Sequence, residues 1–489
     1  MKFLMGVLRR ATTLPLALIL CGPLGMAQDA RGAQDAAGLP QAPVPNLVAP
    51  KLPGGVMVER ATPGAMPLSL DEAIDRGLKH NLQMELVIQN ERLVHGEVLT
   101  VANNLLPSLT ATGQTEAQEI NLAALGFKPS SLTGLGIAGT FSEIVKVDTT
   151  EAQISASQQL FNVPAYYLYR AAQKAATVAN LSTLNLRGGV TLAVGTQYLL
   201  ALADEAQIEN ARSLEKADEV VLQQATDSHD AGVGTHLDVL RARVQLQQQQ
   251  QALIKAENTF AKDKIALNRM IGLPADQEIT LTDAAPYAEY AELPLDEAMK
   301  LAFVRRKDLL SLQAQVDVAT KTRKAVKAER LPTLAFDGYY GVLGETTGLY
   351  HGVFSATGKL SVPVFQEGQL RGEREVADAQ VIALRQQIES LRVSIEAQIR
   401  SSMMDVESSS ELVKVARSNV DLATQALQDA TDRFTAGVDD NLPVVQAQAV
   451  LAAAQSQLVN TLYQYNQSKL QLARNTGVVE SQYKSYLGR

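Results

Sequence analysis

The chain is written twice, and that duplication limits its fold more than any other feature. Leu70-Asp71-Glu72-Ala73 returns as Leu295-Asp296-Glu297-Ala298, and Leu106-Pro107-Ser108-Leu109 returns as Leu331-Pro332-Thr333-Leu334, both 225 residues on. Ala231-Gly232-Val233 matches Ala436-Gly437-Val438, and Met270-Ile271-Gly272 matches Asn475-Thr476-Gly477, now 205 residues on. The offset shrinks because Pro107 and Phe161 stand 54 residues apart, whereas Pro332 and Phe365 stand 33 apart. One segment therefore varies in length between two otherwise parallel halves. Duplicated units of this size are usually arranged around an axis, and a ring of them can enclose a passage.

The ends of the chain set its compartment. Met1 to Ala27 has a basic start (Lys2, Arg9, Arg10), an apolar run from Leu14 to Leu20 and small residues before Gln28, the pattern of a secretory signal. That run is too short to span a bilayer as a helix. Cys21 is the single cysteine and follows Leu20 rather than a small residue, so it is not read as a lipidation site. Removing the signal leaves no disulfide framework and takes the net charge from −8 to −11. An acidic exported chain is a poor partner for nucleic acid. The expected organisation is a signal over 1–27, a Pro-rich arm over 28–67, a first repeat over 68–272, a linker over 273–292, a second repeat over 293–478 and a tail over 479–489.

Each repeat carries both helical and strand signals. Val239, Leu246, Leu253, Phe260 and Leu267 recur every seven residues, as do Val444, Leu451, Leu458, Tyr465 and Leu472. Three positions after the second series come Ala447, Ala454, Thr461 and Ser468, small or weakly polar seam residues that let helices approach closely in a coiled coil. Asn162 to Ser228 and Gln366 to Arg433 each read as one helix of roughly 100 Å at 1.5 Å per residue. Leu70–Asn103, His236–Ile271, Pro294–Glu329 and Asp440–Asn475 are about half as long, so two short pieces end to end match one long rod. The linker from Gly272 to Leu293 is expected to pack outside that helical wall.

Between the helices, apolar and polar residues alternate. Leu334, Phe336, Gly338, Tyr340 and Val342 interleave with Ala335, Asp337, Tyr339 and Gly341, and Leu360, Val362 and Val364 interleave with Lys359, Ser361 and Pro363. In the first half Ala111, Gly113, Thr115 and Ala117 interleave with Thr110 to Gln118, and Ala152, Ile154 and Ala156 with Gln153, Ser155 and Ser157. Period two with one polar face fits strands, and about ten residues is the span of a tilted membrane strand. A soluble hairpin satisfies the same pattern. Two hairpins per chain cannot close a barrel, so their edges stay unpaired unless several chains join.

Signals for chemistry fail. His229 and His236 flank one turn seven residues apart, but no further His or Cys cluster accompanies them, and the expectation is a solvated turn without a metal. Gly352 through Lys359 has five residues between its glycines and Leu360 after the lysine, which the phosphate-loop motif does not allow. Asp71 and Glu72 fit the first turn of a helix, at the positive end of its dipole. The expectation is no enzyme and no cofactor.

These motifs, in order, make the chain resemble the TolC family of outer-membrane efflux proteins. The matching segments are Leu68-Ser69-Leu70-Asp71-Glu72-Ala73, Asn104-Leu105-Leu106-Pro107-Ser108-Leu109, Gln159-Leu160-Phe161 and their second copies, with Gly234-Thr235-His236-Leu237-Asp238-Val239-Leu240 opening a C-terminal helix. The resemblance spans roughly Leu68 to Val479. It implies a mainly α protomer with a small transmembrane β part, three copies of which form a twelve-stranded β-barrel continued by an α-helical periplasmic tunnel. It further implies outer-membrane lipid as surroundings, and as partners a periplasmic adaptor and an inner-membrane efflux pump or ABC secretion transporter. Ile120–Asp148 and Leu343–Phe354 would be the extracellular loops.

The turns Asp230–Thr235 and Thr435–Asn441 would be the periplasmic tips, where the resemblance puts adaptor contacts at Ala231, Gly232, Val233, Ala436, Gly437 and Val438. Gly232 and Gly437 suit the positive φ of a tight reversal in any case. Relatives often carry two inward-facing aspartates after the second tip in a pattern like Asp-Val-Leu-Asp, and this chain has Pro443-Val444-Val445-Gln446 there. Asp439 and Asp440 lie in the turn instead. Two readings stand for them: a periplasmic gate of six carboxylates under threefold symmetry, which would attract cations, or a cap on the following helix. The rival to a channel is a periplasmic coiled-coil adaptor or scaffold without a pore, though adaptors usually bracket a single hairpin with β-rich domains.

Overall fold

The computed structural model describes residues 63–121, 123–124, 144–283, 287–289 and 293–488. The expected signal, nearly all of the Pro-rich arm and the middle of the first expected loop lie outside these residues. The described elements are β1 (Met66–Leu68), α1 (Leu70–His80), α2 (Leu82–Asn103), β2 (Ser108–Asn121), β3 (Ile144–Phe161), α3 (Val163–Asp230), α4 (His236–Ile271), β4 (Ile279–Leu281), α5 (Leu295–Arg305), α6 (Lys307–Ala328), β5 (Thr333–Glu345), β6 (Tyr350–Ser361), α7 (Glu367–Thr435), α8 (Leu442–Asn475) and α9 (Val479–Leu487).

The two long rods form as expected, with 68 residues in α3 and 69 in α7. Asn162 starts α3 by accepting the Ala165 N–H at 2.9 Å, with Pro164 in the first turn where its missing donor costs nothing. Ser69 caps α1 in the same way, accepting from the Glu72 N–H. The upper part of α3 lies against α2 and α6, its lower part against α4 and α8, and α7 lies against α6 and then α8. All ten residues of the two heptad series are buried or half-buried. The second seam position follows expectation only in part. Thr461 is buried as expected, but near the tip Gln448 rather than Ala447 is buried, and higher up Lys469 rather than Ser468, so at those two levels the fourth residue after the seam position turns inward.

Each expected short N-terminal helix is broken in two, at Asn81 in the first half and at Arg306 in the second, 225 residues apart. At both positions ψ leaves the helical range, 128° at Asn81 and 119° at Arg306. Each break meets the end of a C-terminal helix. Asn81 Nδ2 lies 3.4 Å from the Met270 carbonyl, and Arg306 Nη1 lies 3.5 Å from the Asn475 carbonyl. Arg306 is buried and charge-compensated by Asp308 at 2.6 Å. The break is therefore the joint at which two short helices succeed each other beside one long rod.

The main hydrophobic core surrounds the middle of α3, where Val190, Val194, Tyr198 and Leu202 meet Leu70 and Ile74 of α1, Leu267 and Ile271 of α4, Leu470 of α8 and Val479 and Leu487 of α9. β1 and β4 pair in parallel here, which ties the linker to the start of α1, and Asp283 accepts the Leu70 N–H at 2.7 Å. Residues 479–487, expected as a tail, form α9, whose Tyr483 and Lys484 both bond the Asp71 carboxylate, at 2.6 and 2.7 Å.

Candidate functional site

The four long strands form one antiparallel sheet in the order β2-β3-β5-β6. Residues directly opposite on neighbouring strands share a face, so the register decides what each face presents. Ala111, Ile154, Tyr340 and Phe354 form one row across the sheet. Leu109, Ala156, Gly338 and Ala356 form the next row on that face, and Gly113, Ala152, Val342 and Gly352 a third. Rows of the opposite face read Thr110-Ser155-Tyr339-Ser355 and Gln114-Glu151-Leu343-His351, with Gln114 donating to Glu151 at 3.0 Å. One face is apolar and the other largely polar. The apolar one is uncovered: Ile154 is 60%, Tyr340 71% and Phe354 78% exposed. A continuous apolar face without protein on it needs an apolar solvent.

The strands run longer than expected and consume most of the second loop. β5 reaches Glu345 and β6 begins at Tyr350, so only four residues of the expected Leu343–Phe354 loop remain, closed by Gly348 N–H donating to the Glu345 carbonyl. β2 likewise reaches Asn121 and β3 begins at Ile144, shortening the first loop at both ends. Among the described residues, both outer strands, β2 and β6, keep one edge without a partner. Among the described residues, no helix is long and apolar enough to cross a membrane.

At the opposite ends of the rods, the two tips share one backbone design. Gly232 and Gly437 take φ of 77° and 70°. The Val233 N–H donates to the Ser228 carbonyl and the Val438 N–H to the Arg433 carbonyl, each at 3.0 Å. These bonds satisfy carbonyls that the ends of α3 and α7 would otherwise leave open. The apolar tip residues project outward, Val233 83% and Val438 66% exposed, beside exposed Ala231 and Ala436.

The helices leaving the tips start differently. Thr235 and Asp238 make a reciprocal capping box at α4. At α8, Asp440 Oδ1 accepts the Leu442 N–H at 3.1 Å, which places that carboxylate on the helix start. Its Oδ2 lies 3.5 Å from Arg241, which also reaches Asp238 at 3.5 Å. Asp439 pairs with Arg433 at 2.8 Å. Fully buried Asn441 donates from Nδ2 to the Asp238 carbonyl at 2.8 Å, fastening the two helix starts together. The sequence reading missed Arg241 and Asn441, because nothing local marks a partner some two hundred residues away, and it missed Arg433, which the shape of the turn brings onto Asp439. Counted together, Asp238, Asp439 and Asp440 against Arg241 and Arg433 leave one negative charge per chain.

Above the tips a polar layer interrupts the apolar seam. Val221 and Val444 share one apolar cluster, Leu214 and Leu451 another, and Asp218 and Gln448 sit between them. Asp218 is 2% exposed and neither of its oxygens has a hydrogen-bond partner of good geometry. Burial pushes its pKa from 3.8 up to about 6, against a weaker opposing pull from the Gln245 amide. Among the described residues, no group of three or more His, Cys, Asp or Glu is arranged to hold a metal ion.

Known proteins repeat this architecture. The family model of the outer membrane efflux protein matches residues 73–273 and 298–478, one block per repeat. The chain belongs to this family. It is 24% identical over 364 residues to the alkaline protease secretion protein AprF of Pseudomonas aeruginosa, covering 72% of this chain and 74% of that protein. It is 24% identical over 343 residues to the outer membrane protein TolC of Vibrio cholerae, covering 68% and 78%. In three dimensions it follows the Campylobacter jejuni CmeC outer membrane channel with a TM-score of 0.72 at 13% identity, over 84% of this chain and 86% of that one. The CusC channel superimposes with a TM-score of 0.71 at 14% identity, over 89% and 99%. Membership sets aside the soluble adaptor or scaffold: this is an outer-membrane protein of the efflux and secretion class, and not an enzyme.

Proposed function

We propose that three copies of this chain form a passive exit duct through the outer membrane, fed by a periplasmic adaptor and an inner-membrane efflux pump or ABC secretion transporter. The sheet register carries this reading. Four strands with one lipid-compatible face and one polar face, open at both edges, satisfy their backbone groups in a bilayer only if other chains continue the sheet. Three copies supply twelve strands, with the polar faces turned to the lumen and the rods continuing the wall into the periplasm. Energy comes from the partner, since the chain carries no nucleotide-binding motif.

The exposed valine turns at Ala231, Gly232, Val233, Ala436, Gly437 and Val438 are the adaptor contacts in this reading, because apolar groups on a solvated turn gain most when a partner covers them. Asp439 and Asp440 form the periplasmic gate. With Asp238 counted beside them, nine carboxylates against six arginines leave a net three negatives at the mouth of the trimer. The decisive experiment is reconstitution of the detergent-purified protein into planar bilayers, with discrete conductance steps and heat-modified electrophoretic mobility expected. A monomeric, detergent-independent protein that leaves the bilayer silent overturns the proposal.

A further inference from the structure

The two tips serve as controls for each other, and the comparison isolates a pair of side chains the turn does not need. His229 and His236 of the first tip correspond to Phe434 and Asn441 of the second, 205 residues on. The same reversal forms around either pair, with the same glycine geometry and the same bond from the valine N–H. Asn441 is buried and structural, whereas both histidines are exposed. The imidazoles are therefore surplus to the fold.

What the turn does is bring them together as tilted neighbours. Gly234 lets the chain leaving the tip pass close to the end of α3, since a Cβ there would stand 2.9 Å from Ser228 Cβ. The Gly234 N–H then donates to the Ser228 carbonyl at 2.8 Å, and the rings of His229 and His236 come to 5.7 Å between centroids, tilted by 53°. His229 Nδ1 lies 3.4 Å from the Gly234 carbonyl. That contact fits the tautomer with the proton on Nδ1, which leaves Nε2 as a free lone pair. A ring N–H held by a backbone carbonyl is the arrangement that orients a metal-ligating histidine.

We infer that the first tip holds one divalent transition-metal ion per chain between His229 and His236. A metal about 2.1 Å from a ring nitrogen lies about 3.2 Å from the ring centroid, so two rings meeting at a tetrahedral angle stand about 5.2 Å apart. The observed separation is about half an ångström from that value, within reach of a small rotamer adjustment at an exposed site. Two neutral imidazoles select ions of the zinc, nickel and copper group over magnesium or calcium, which prefer oxygen. With no third protein ligand arranged there, the remaining positions belong to water, and the ion exchanges readily. Once bound, it fastens the last turn of α3 to the first turn of α4.

The test uses the full-length trimer in detergent, titrated with zinc chloride by calorimetry and compared with His229→Gln, His236→Gln and, as control, His351→Gln on β6. The expected result is one saturable zinc per chain, weakened at least tenfold in each tip variant and unchanged in the control. Hydrogen exchange reads the same event independently: zinc slows exchange at residues 231–236 in the natural protein and in neither tip variant. Zinc binding of equal affinity in the natural protein and either tip variant overturns the inference, as does the absence of saturable binding. Neither measurement depends on whether the trimer conducts.

Discussion

Asp218 offers the sharpest test of how the helical seam is held, because it is a carboxyl group buried between apolar layers with no hydrogen-bond partner of good geometry. Its pKa is raised from 3.8 to about 6, so the folded protein holds this proton more tightly than the unfolded chain does. The sign follows directly. Well below pH 3.8 both states are protonated and the group is neutral to stability. As pH rises towards 6 the unfolded chain ionises first, and the seam loses stability until the folded group ionises too. A shift of this size corresponds to about 3 kcal/mol for each subunit at neutral pH, at about 1.4 kcal/mol per pKa unit. Asp218→Asn keeps the shape, removes the charge and still offers an acceptor to Gln245. Hydrogen exchange of the amides of residues 211–225, measured on the trimer from pH 4 to pH 8 and corrected for the intrinsic rate, reads local opening. The natural protein is expected to become easier to open by about 3 kcal/mol relative to the variant, with most of the change between about pH 4 and pH 6. Parallel curves for the two proteins would refute the reasoning, since they would mean that the carboxylate is solvated or paired in the assembled molecule.

Further expectations concern the other elements. Phe354→Arg puts a charge on the apolar face of the sheet and should cost about 2–4 kcal/mol at mid-bilayer depth, seen as loss of heat-modified trimer, whereas Gln114→Arg on the polar face should assemble normally. Arg306→Leu strands Asp308 at the second helix break and should cost about 3–5 kcal/mol, measured as lowered thermal stability of the detergent trimer. Asn substitution of both Asp439 and Asp440 changes the mouth from one negative to one positive charge per chain. Its cation preference, read from reversal potentials across a salt gradient, should fall or invert, and an unchanged preference would remove these residues from the gate. Val233→Glu together with Val438→Glu should abolish crosslinking to the adaptor while leaving trimer and conductance intact.

Much of the architecture was legible because its boundaries are marked by local chemistry. Asn162 and Pro164 announce the start of α3, and Gly232 and Gly272 end α3 and α4, so those limits fall within two residues of the sequence reading. The strand faces were equally readable, since alternation assigns Ile154 and Tyr340 to one side before any pairing is known. The helix breaks at Asn81 and Arg306 were not. No glycine or proline interrupts the helical pattern there, and the interruption is imposed by the ends of α4 and α8 abutting from outside. The sheet overran its expected loops for a related reason: Gly344, a poor strand former, pairs with Tyr350 because their strands are already aligned below them. At the tips, the glycines could be read locally, but the clasp of Arg241 on Asp440 could not. Arg241 and Asp440 meet across 199 positions, and only the folded hairpins bring them together.

The pairing of β3 with β5 has a genetic consequence. It fuses the two hairpins of a subunit into one panel, so every remaining seam in the assembly lies between different polypeptides. A subunit with a damaged outer margin on β2 or β6 would thus not fail alone. It would draw two sound neighbours into a cylinder that cannot shut. In a cell making both versions, working pores would be depleted well beyond the share of faulty protein, and such alleles should behave as dominant inhibitors rather than as simple losses.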